Sequence, residues 1–128
     1  MKILAQASQE NFITTPEGAQ RRILSYGGGM MLVEFTFESG MSAPIHSHAN
    51  EQVGYVVSGE IDLIMDGFER TRLTAGGSYY VAPNVQHGIV TYAPTVVIDL
   101  FVTSTTLSSV ALHLLEAKFM VMTSVWRK

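Results

Sequence analysis

The 128-residue sequence contains no cysteine. A disulfide framework and a thiolate metal site are therefore excluded, and any metal ion would need nitrogen and oxygen ligands. The sequence also lacks an uninterrupted run of about 20 apolar residues, the length that a membrane-spanning helix requires. Its N-terminal apolar run is too short for a secretory signal. We therefore expect a cytoplasmic protein with no membrane partner.

Basic residues are scarce. The sequence has 8 Lys and Arg residues and 11 Asp and Glu residues, which gives a formal net charge of −3. Such a chain has nothing to attract a polyphosphate backbone, and we expect no nucleic-acid partner. Hydrophobic residues make up 47% of the sequence, and this length suits one domain, 1–128, with one core. The high apolar content predicts further burial in a homodimer.

Short stretches rich in β-branched and aromatic residues alternate with glycine-containing turns. Residues 20–26 and 30–38 are predicted strands on either side of Gly27-Gly28-Gly29, and glycine supplies the positive φ angles that a tight hairpin requires. Asp66-Gly67 predicts a second, two-residue hairpin into 68–74. Closely spaced strands of this kind, with no long helical pattern before the C-terminal segment, favour an all-β sandwich or barrel.

Two histidines, His46 and His48, lie two positions apart. On an extended segment their side chains point to the same face, so both imidazoles can reach one point. The same alternation gives Gln52 that face and turns Glu51 away, and we favour Gln52 as the next ligand. A β-bulge after His48 would reverse this parity and make Glu51 the ligand. A third imidazole, His87, would join them in a β-barrel.

Three imidazoles and an amide form a donor set without negative charge. Imidazole suits zinc, copper, iron and nickel. A cation bound by this set would keep its full divalent charge and act as a Lewis acid on carbonyl or hydroxyl oxygens. The fourth histidine, His113, lies apart from this pattern, and we interpret it as structural.

Two stretches resemble the cupin motifs. Gly40 to Gly59 contains a glycine, His-x-His, an amide four residues after the second histidine, and a closing glycine, as in the first motif. Gly77–His87 resembles the second, although its spacing from Pro83 to the histidine is one residue shorter than usual. The resemblance implies a jelly-roll β-barrel over about 20–103. It also implies a divalent metal ion (Zn, Ni, Mn or Fe) bound by His46, His48, Gln52 and His87.

Glutamine in place of the commoner glutamate resembles the small cupins of pectin degradation, which act on 4,5-unsaturated uronate monomers. Asp99-Leu100-Phe101 resembles their Asp-x-Phe segment, in which the aspartate is catalytic and the aromatic ring lines the pocket. The resemblance implies an isomerase that converts unsaturated uronates from pectin or alginate to linear keto forms. Asp99 would move the proton, and Phe101 would contact the sugar acid substrate.

The residues themselves leave the role of Asp99 open. A lone acid in an apolar strand is costly to bury unless it has a partner or a function. The alternative is an edge strand from which Asp99 points to solvent. Two other functions also stay open for the chain as a whole: a metal-dependent cupin dioxygenase, which would consume oxygen, and a non-catalytic sugar-binding module.

After Phe101 the chain departs from this family. Its relatives continue with a proline and an arginine suited to the substrate carboxylate, whereas this sequence has no Lys or Arg until Lys118. Arg21 or Arg22 is the best remaining donor, and we favour Arg22 for substrate binding, since guanidinium groups bind carboxylates through two hydrogen bonds. The segment 104–128 is a divergent tail. A set of apolar residues in it is spaced as in a helix that docks on the barrel or a partner, namely Leu107, Val110, Ala111, Leu114 and Leu115.

Overall fold

The structure, a computed structural model, describes residues 1–16 and 18–103. The regular secondary structure of this part of the chain is β-strand, apart from one short 3-10 helix at Ala7–Gln9. Its ten strands are β1 (Ile13–Thr14), β2 (Gln20–Gly27), β3 (Met30–Phe37), β4 (Ser42–His46), β5 (Glu51–Ser58), β6 (Glu60–Met65), β7 (Thr71–Thr74), β8 (Ser78–Val81), β9 (His87–Thr91) and β10 (Thr95–Val102).

The strands form two antiparallel sheets. The large sheet has the order β1-β2-β3-β10-β5-β8, and the small sheet has the order β4-β9-β6-β7. Alternate residues of each strand face the other sheet, as the period of two requires. The core between the sheets includes Met31, Val33, Phe35, Val56, Ile61 and Val97, all 2% exposed or less. The predicted all-β cupin jelly roll is confirmed, although no ladder between the described strands closes the two sheets into a continuous barrel.

Glycine occupies the turns that define this topology. The hairpin predicted at Gly27-Gly28-Gly29 is confirmed, with β2 and β3 paired on either side of it. Gly59 joins β5 to β6 at φ +95, and a Cβ at this position would overlap Thr95. Both its conformation and its close approach to β10 therefore require glycine.

The predicted turn at Asp66-Gly67 forms, with Phe68 N donating to Met65 O, but the predicted two-residue loop length is wrong. The strands β6 and β7 do pair, but the last paired residues are Leu63 and Thr71, and a longer connection joins them. The end of β6 continues along β9 instead, where Met65 pairs with His87. Beyond the turn, Arg70 leaves the ladder and donates to Asp62.

Asp62 anchors a polar cluster on the outer face of the small sheet. Its carboxylate accepts hydrogen bonds from Arg70 Nε at 2.6 Å, Arg72 Nε at 2.5 Å and Tyr92 OH at 2.8 Å. The guanidinium of Arg72 also lies 3.8 Å from the centre of the Tyr92 ring. These donors hold the pKa of Asp62 well below its ordinary value of 3.8, so the folded state favours the ionised carboxylate.

We expect Asp62→Asn to lower the free energy of unfolding at neutral pH. Because folding lowers the pKa of Asp62, its contribution is complete above pH 3.8 and is lost as the pH falls below that value. The difference between wild type and variant should therefore shrink towards pH 3 in urea unfolding curves. Salt should also reduce it, because both arginines are about half exposed. A difference that is absent at pH 7, or that grows on acidification, would contradict this assignment.

The outer face of β5, in the large sheet, exposes apolar side chains. Val53, Tyr55 and Val57 alternate with the buried residues of β5 and are exposed. The predicted homodimer would bury apolar surface of this kind, and the dimer stays a prediction. Within the described residues, no helix has the length and apolarity to cross a membrane. The single domain 1–128 and the cytoplasmic location stay predictions. The predicted C-terminal helix, the tail 104–128 and His113 lie outside the described residues.

Candidate metal centre

Three histidines meet between the two sheets. His46 ends β4 and His87 begins β9, and the antiparallel register places these two residues directly opposite each other. His48 follows in the connection to β5. One ring nitrogen from each of the three lies within 4.8 Å of the others, and all three residues are buried. The predicted triad therefore converges in space, although His48 lies just beyond the end of β4.

The backbone sets the orientation of each ring. Every Nδ1 lies 2.9 to 3.0 Å from a backbone carbonyl oxygen two residues away. A carbonyl only accepts hydrogen bonds, so each Nδ1 carries the proton and each Nε2 keeps its lone pair for a metal ion. The carbonyls belong to Pro44 for His46, Asn50 for His48 and Val85 for His87.

Burial also favours neutral rings. It lowers the pKa of His46, and it lowers the pKa of His87 to about 4, because a charged imidazolium loses its hydration between the sheets. The neighbouring imidazoles act in the same direction on both residues. Neutral imidazole is the form that binds metal ions.

Gln52 completes the cluster from β5. Its side chain points inward and is 4% exposed, and its Oε1 lies 2.9 Å from Nε2 of His48. The preceding residue, Glu51, points outward and accepts a hydrogen bond from Tyr80 OH. The pairing of β5 with β10 is regular from Glu51 to Val56, so the alternation along β5 turns Gln52 inward and Glu51 outward. The alternative in which Glu51 joins the histidines does not match this arrangement.

The contact between Gln52 and His48 provides a test of whether these residues fit a metal ion. When the proton of His48 is on Nδ1, both Nε2 of His48 and Oε1 of Gln52 are acceptors. These two acceptors lie 2.9 Å apart and repel each other unless a cation lies between them. Two ligands at right angles with bonds of about 2.1 Å would be about 3.0 Å apart. The residues present therefore fit a divalent ion with nitrogen and oxygen ligands.

Asp99 lies directly behind Gln52. It is on β10, in the centre of the large sheet, and is 2% exposed, so the alternative of a solvent-facing acid on an edge strand is wrong. Its Oδ1 accepts hydrogen bonds from Gln52 Nε2 and from Tyr79 OH, both at 2.9 Å. Burial raises the pKa of Asp99 to about 6, and these two hydrogen bonds offset part of that rise.

The hydrogen bond from Gln52 to Asp99 orients the amide. A carboxylate accepts, so the NH2 group faces Asp99 and the oxygen faces His48. Both donors to Asp99 converge on Oδ1, and within the described part of the chain no group donates to Oδ2. Asp99 lines the cavity beside the histidines, and Oδ2 is its available oxygen there.

The cavity that these side chains line is otherwise apolar. His46, Gln52, Tyr79, His87 and Asp99 supply its polar atoms. Among residues 1–16 and 18–103, no Lys or Arg side chain lines this cavity. The apolar walls include Phe37, Ala43, Leu63, Ile89 and Val97.

The structure does not bring the other predicted substrate ligands to this cavity. Arg22 lies on the outer side of the large sheet, where its Nε is 2.6 Å from Glu34 and its guanidinium lies 4.1 Å from the centre of the Phe12 ring. Arg21 is buried on the inner side, but both arginines line a separate cavity beside the N-terminal segment. Phe101 is buried and packs edge-on against His48, 5.8 Å between ring centres.

Sequence reasoning missed Tyr79, which the structure places in the cavity with its hydroxyl on Asp99. The available signal was Gly54, a glycine within the strand β5. Glycine inside a strand often marks the close approach of another group, and a Cβ at Gly54 would overlap the ring of Tyr79.

Known proteins share both the sequence pattern and the fold. The profile described as Cupin domain matches residues 33–101, more than half of the chain. The pectin degradation protein KdgF of Dickeya dadantii (strain 3937) is 30% identical over 87 residues, which cover 66% of this chain and 78% of KdgF.

Solved structures give the same result. An RmlC-like cupin from Shewanella frigidimarina NCIMB 400 has a TM-score of 0.75 and 29% identity, covering 88% of this chain and 96% of that one. KdgF from Halomonas sp. has a TM-score of 0.73 and 30% identity, covering 77% and 93%. The DMSP lyase DddQ from Ruegeria pomeroyi DSS-3 shares the fold alone, at 17% identity and a TM-score of 0.67, covering 76% of this chain and 58% of DddQ. The chain belongs to the cupin family and is similar to the pectin-degradation cupin KdgF.

Proposed function

We propose that this cupin is a metal-dependent isomerase that converts 4,5-unsaturated uronate monosaccharides, from pectin or alginate, to linear keto forms. The observation that supports it most is the contact of Gln52 with both His48 and Asp99, through which a buried carboxyl group lies beside the side chains that would hold the metal ion. The similarity to two KdgF proteins, one of them named a pectin degradation protein, points to the same class of substrate.

His46, His48, His87 and Gln52 would hold a divalent metal ion. When bound there, such an ion supplies positive charge that polarises substrate oxygens and orients an anionic sugar. That charge would also attract the substrate carboxylate. We propose no substrate-binding role for Arg22, because its guanidinium is paired with Glu34 outside the cavity.

The reaction is an internal rearrangement that needs one proton moved. In the cyclic sugar, the ring oxygen is attached to C5 of the C4=C5 double bond. Opening breaks the bond between C1 and the ring oxygen, and the C1 hydroxyl loses its proton to become an aldehyde. The electron pair of the broken bond passes to the ring oxygen, and the resulting enolate takes a proton at C4 to become the ketone. No oxidant or other reactant is consumed.

Asp99 would move that proton. Its Oδ2 is the carboxylate oxygen without a donor in the described chain, and Asp99 lines the cavity. In the proposed reaction Oδ2 accepts the proton of the C1 hydroxyl and returns it to C4, as a general base and then a general acid.

The neutral donor set favours this reaction over a dioxygenase. A carboxylate ligand would help to stabilise an oxidised metal, but Gln52 faces the histidines and Glu51 faces outward. A dioxygenase and a non-catalytic sugar-binding module are the competing outcomes of the test.

The test is an ultraviolet assay with 4,5-unsaturated galacturonate, in which the loss of the conjugated double bond is followed. Metal-loaded protein, a chelated sample and a protein-free blank are compared, and the blank measures any opening of the sugar without protein. We expect loss faster than the blank with the metal-loaded protein only. Binding of the sugar without turnover would support the module, and turnover of another substrate with oxygen consumption would support the dioxygenase.

A further inference from the structure

Tyr79 reaches Asp99 across an intervening strand. Tyr79 is on β8 and Asp99 is on β10, and β5 lies between these strands in the large sheet. The register pairs Gly54 of β5 with Asp99 on one side and with Tyr79 on the other. Adjacent strands are about 4.8 Å apart, so the two residues are separated by about twice that distance, and the phenol ring must lie over Gly54 to close it.

Gly54 provides the space for this contact. A Cβ added there would overlap the Tyr79 ring and its hydroxyl. Gly54 is not among the residues with positive φ, so its backbone conformation does not require glycine. The requirement comes from the ring that crosses above it.

The hydroxyl of Tyr79 fixes the carboxyl group of Asp99. It donates to Oδ1, the same oxygen that accepts from Gln52. Two donors from different strands on one oxygen select one orientation of the carboxyl plane, and that orientation leaves Oδ2 for the cavity. Without the hydroxyl, Oδ1 keeps only the donor from Gln52, and one of the two contacts that set the carboxyl plane is lost.

We propose that Tyr79 is a positioning residue for Asp99, and that Gly54 is glycine to let it reach that carboxyl group. This inference rests on the proposed function for its kinetic consequence only, since the effect on the orientation of Asp99 is independent of any substrate. Tyr79 acts on turnover through Asp99, so removal of its hydroxyl should lower kcat only when Asp99 can exchange a proton.

The variant Tyr79→Phe keeps the ring over Gly54 and removes the hydroxyl. We expect kcat for the unsaturated uronate to fall about 10-fold, the scale of one lost hydrogen bond, with KM and metal content unchanged. The matched control is Tyr80→Phe, because Tyr80 donates to Glu51 on the opposite face of the same strand. This control should retain wild-type kcat.

A double-mutant cycle separates positioning from a general structural role. In the Asp99→Asn background, Tyr79→Phe should cause no further loss of kcat, because the group that Tyr79 positions no longer exchanges protons. The inference would be overturned if Tyr79→Phe lowered kcat by the same factor in wild type and in Asp99→Asn, or if it left the kcat of wild type unchanged. Gly54→Ala should reproduce the kinetic loss of Tyr79→Phe by displacing the ring, with folding checked by thermal unfolding.

Crystal structures of wild type and Tyr79→Phe give a readout that does not depend on turnover. We expect the Asp99 carboxyl group to rotate or to occupy two orientations in the variant. If wild type fails to turn over the uronate, the proposed function fails, and the Asp99 orientation alone decides this inference. An unchanged single orientation in the variant would then overturn it.

Discussion

Asp99→Asn is expected to lower kcat for 4,5-unsaturated galacturonate by about 100- to 10,000-fold, the range typical of a lost general acid or base. The variant keeps an acceptor oxygen for Gln52 and Tyr79, whose hydrogen bonds to Oδ1 are both 2.9 Å long. Only the oxygen that faces the cavity is replaced by an amide nitrogen. Metal content and thermal stability should therefore stay close to wild type, and steady-state kinetics with metal analysis measure the effect.

The matched control for this substitution is Asp66→Asn. Asp66 lies in the turn after β6, and its side chain makes no hydrogen bond or ion pair within the part of the chain that the structure describes. Its replacement should leave turnover unchanged. Wild-type turnover in Asp99→Asn would remove Asp99 from the mechanism, and a loss of turnover that merely follows a loss of bound metal would assign Asp99 to the support of Gln52 instead.

His87→Ala is expected to lower the affinity for a divalent metal ion by more than about 100-fold. Loss of a residue that merely orients a metal ligand typically costs 10- to 100-fold, and a ligand itself should cost more. His87 lies opposite His46 at the start of β9, so the remaining two imidazoles and the amide would form an incomplete site. Titration calorimetry with Zn²⁺ or Ni²⁺ and metal analysis of the purified protein provide the measurement.

His113→Ala is the control histidine substitution, because His113 belongs to neither histidine pattern. It should bind metal as wild type does. Equal metal content in His87→Ala and wild type would show that these imidazoles have a structural role, as isolated histidines in apolar strands do. Turnover that persists in metal-free protein would separate the reaction from the metal site altogether.

The sequence predicted the histidine cluster well because it depends on local periodicity. Side chains alternate along an extended chain, so an even spacing predicts that His46, His48 and Gln52 point to the same face. The chain is not a strand between His46 and Glu51, but Gln52 still faces the histidines, because β5 begins at Glu51 and its alternation turns Gln52 inward. The loop at Asp66-Gly67 is longer than predicted because β6 continues along β9 beyond its last pair with β7. Which neighbour a strand end follows depends on the whole sheet.

Contacts between residues on different strands could not be predicted from the sequence. The pair Tyr79-Tyr80 must present one ring to each face, but only the pairing of β8 with β5 decides which one meets Asp99. Arg21 and Arg22 posed the same problem, and the register opposite β3 gives Arg22 the outer face with Glu34. In both cases the alternation along a strand shows that the two neighbouring side chains point in opposite directions. Only the long-range pairing of strands shows which of the two points inward.

The most direct test of the proposed isomerase is the turnover of 4,5-unsaturated galacturonate in D₂O by metal-loaded protein, followed by NMR. If Asp99 delivers the proton to C4 from one side of the cavity, the linear keto product should carry deuterium at C4 in a single configuration. The rate should exceed that of the protein-free solution and fall to it after chelation. Deuterium distributed equally over both configurations, at the protein-free rate, would contradict the account.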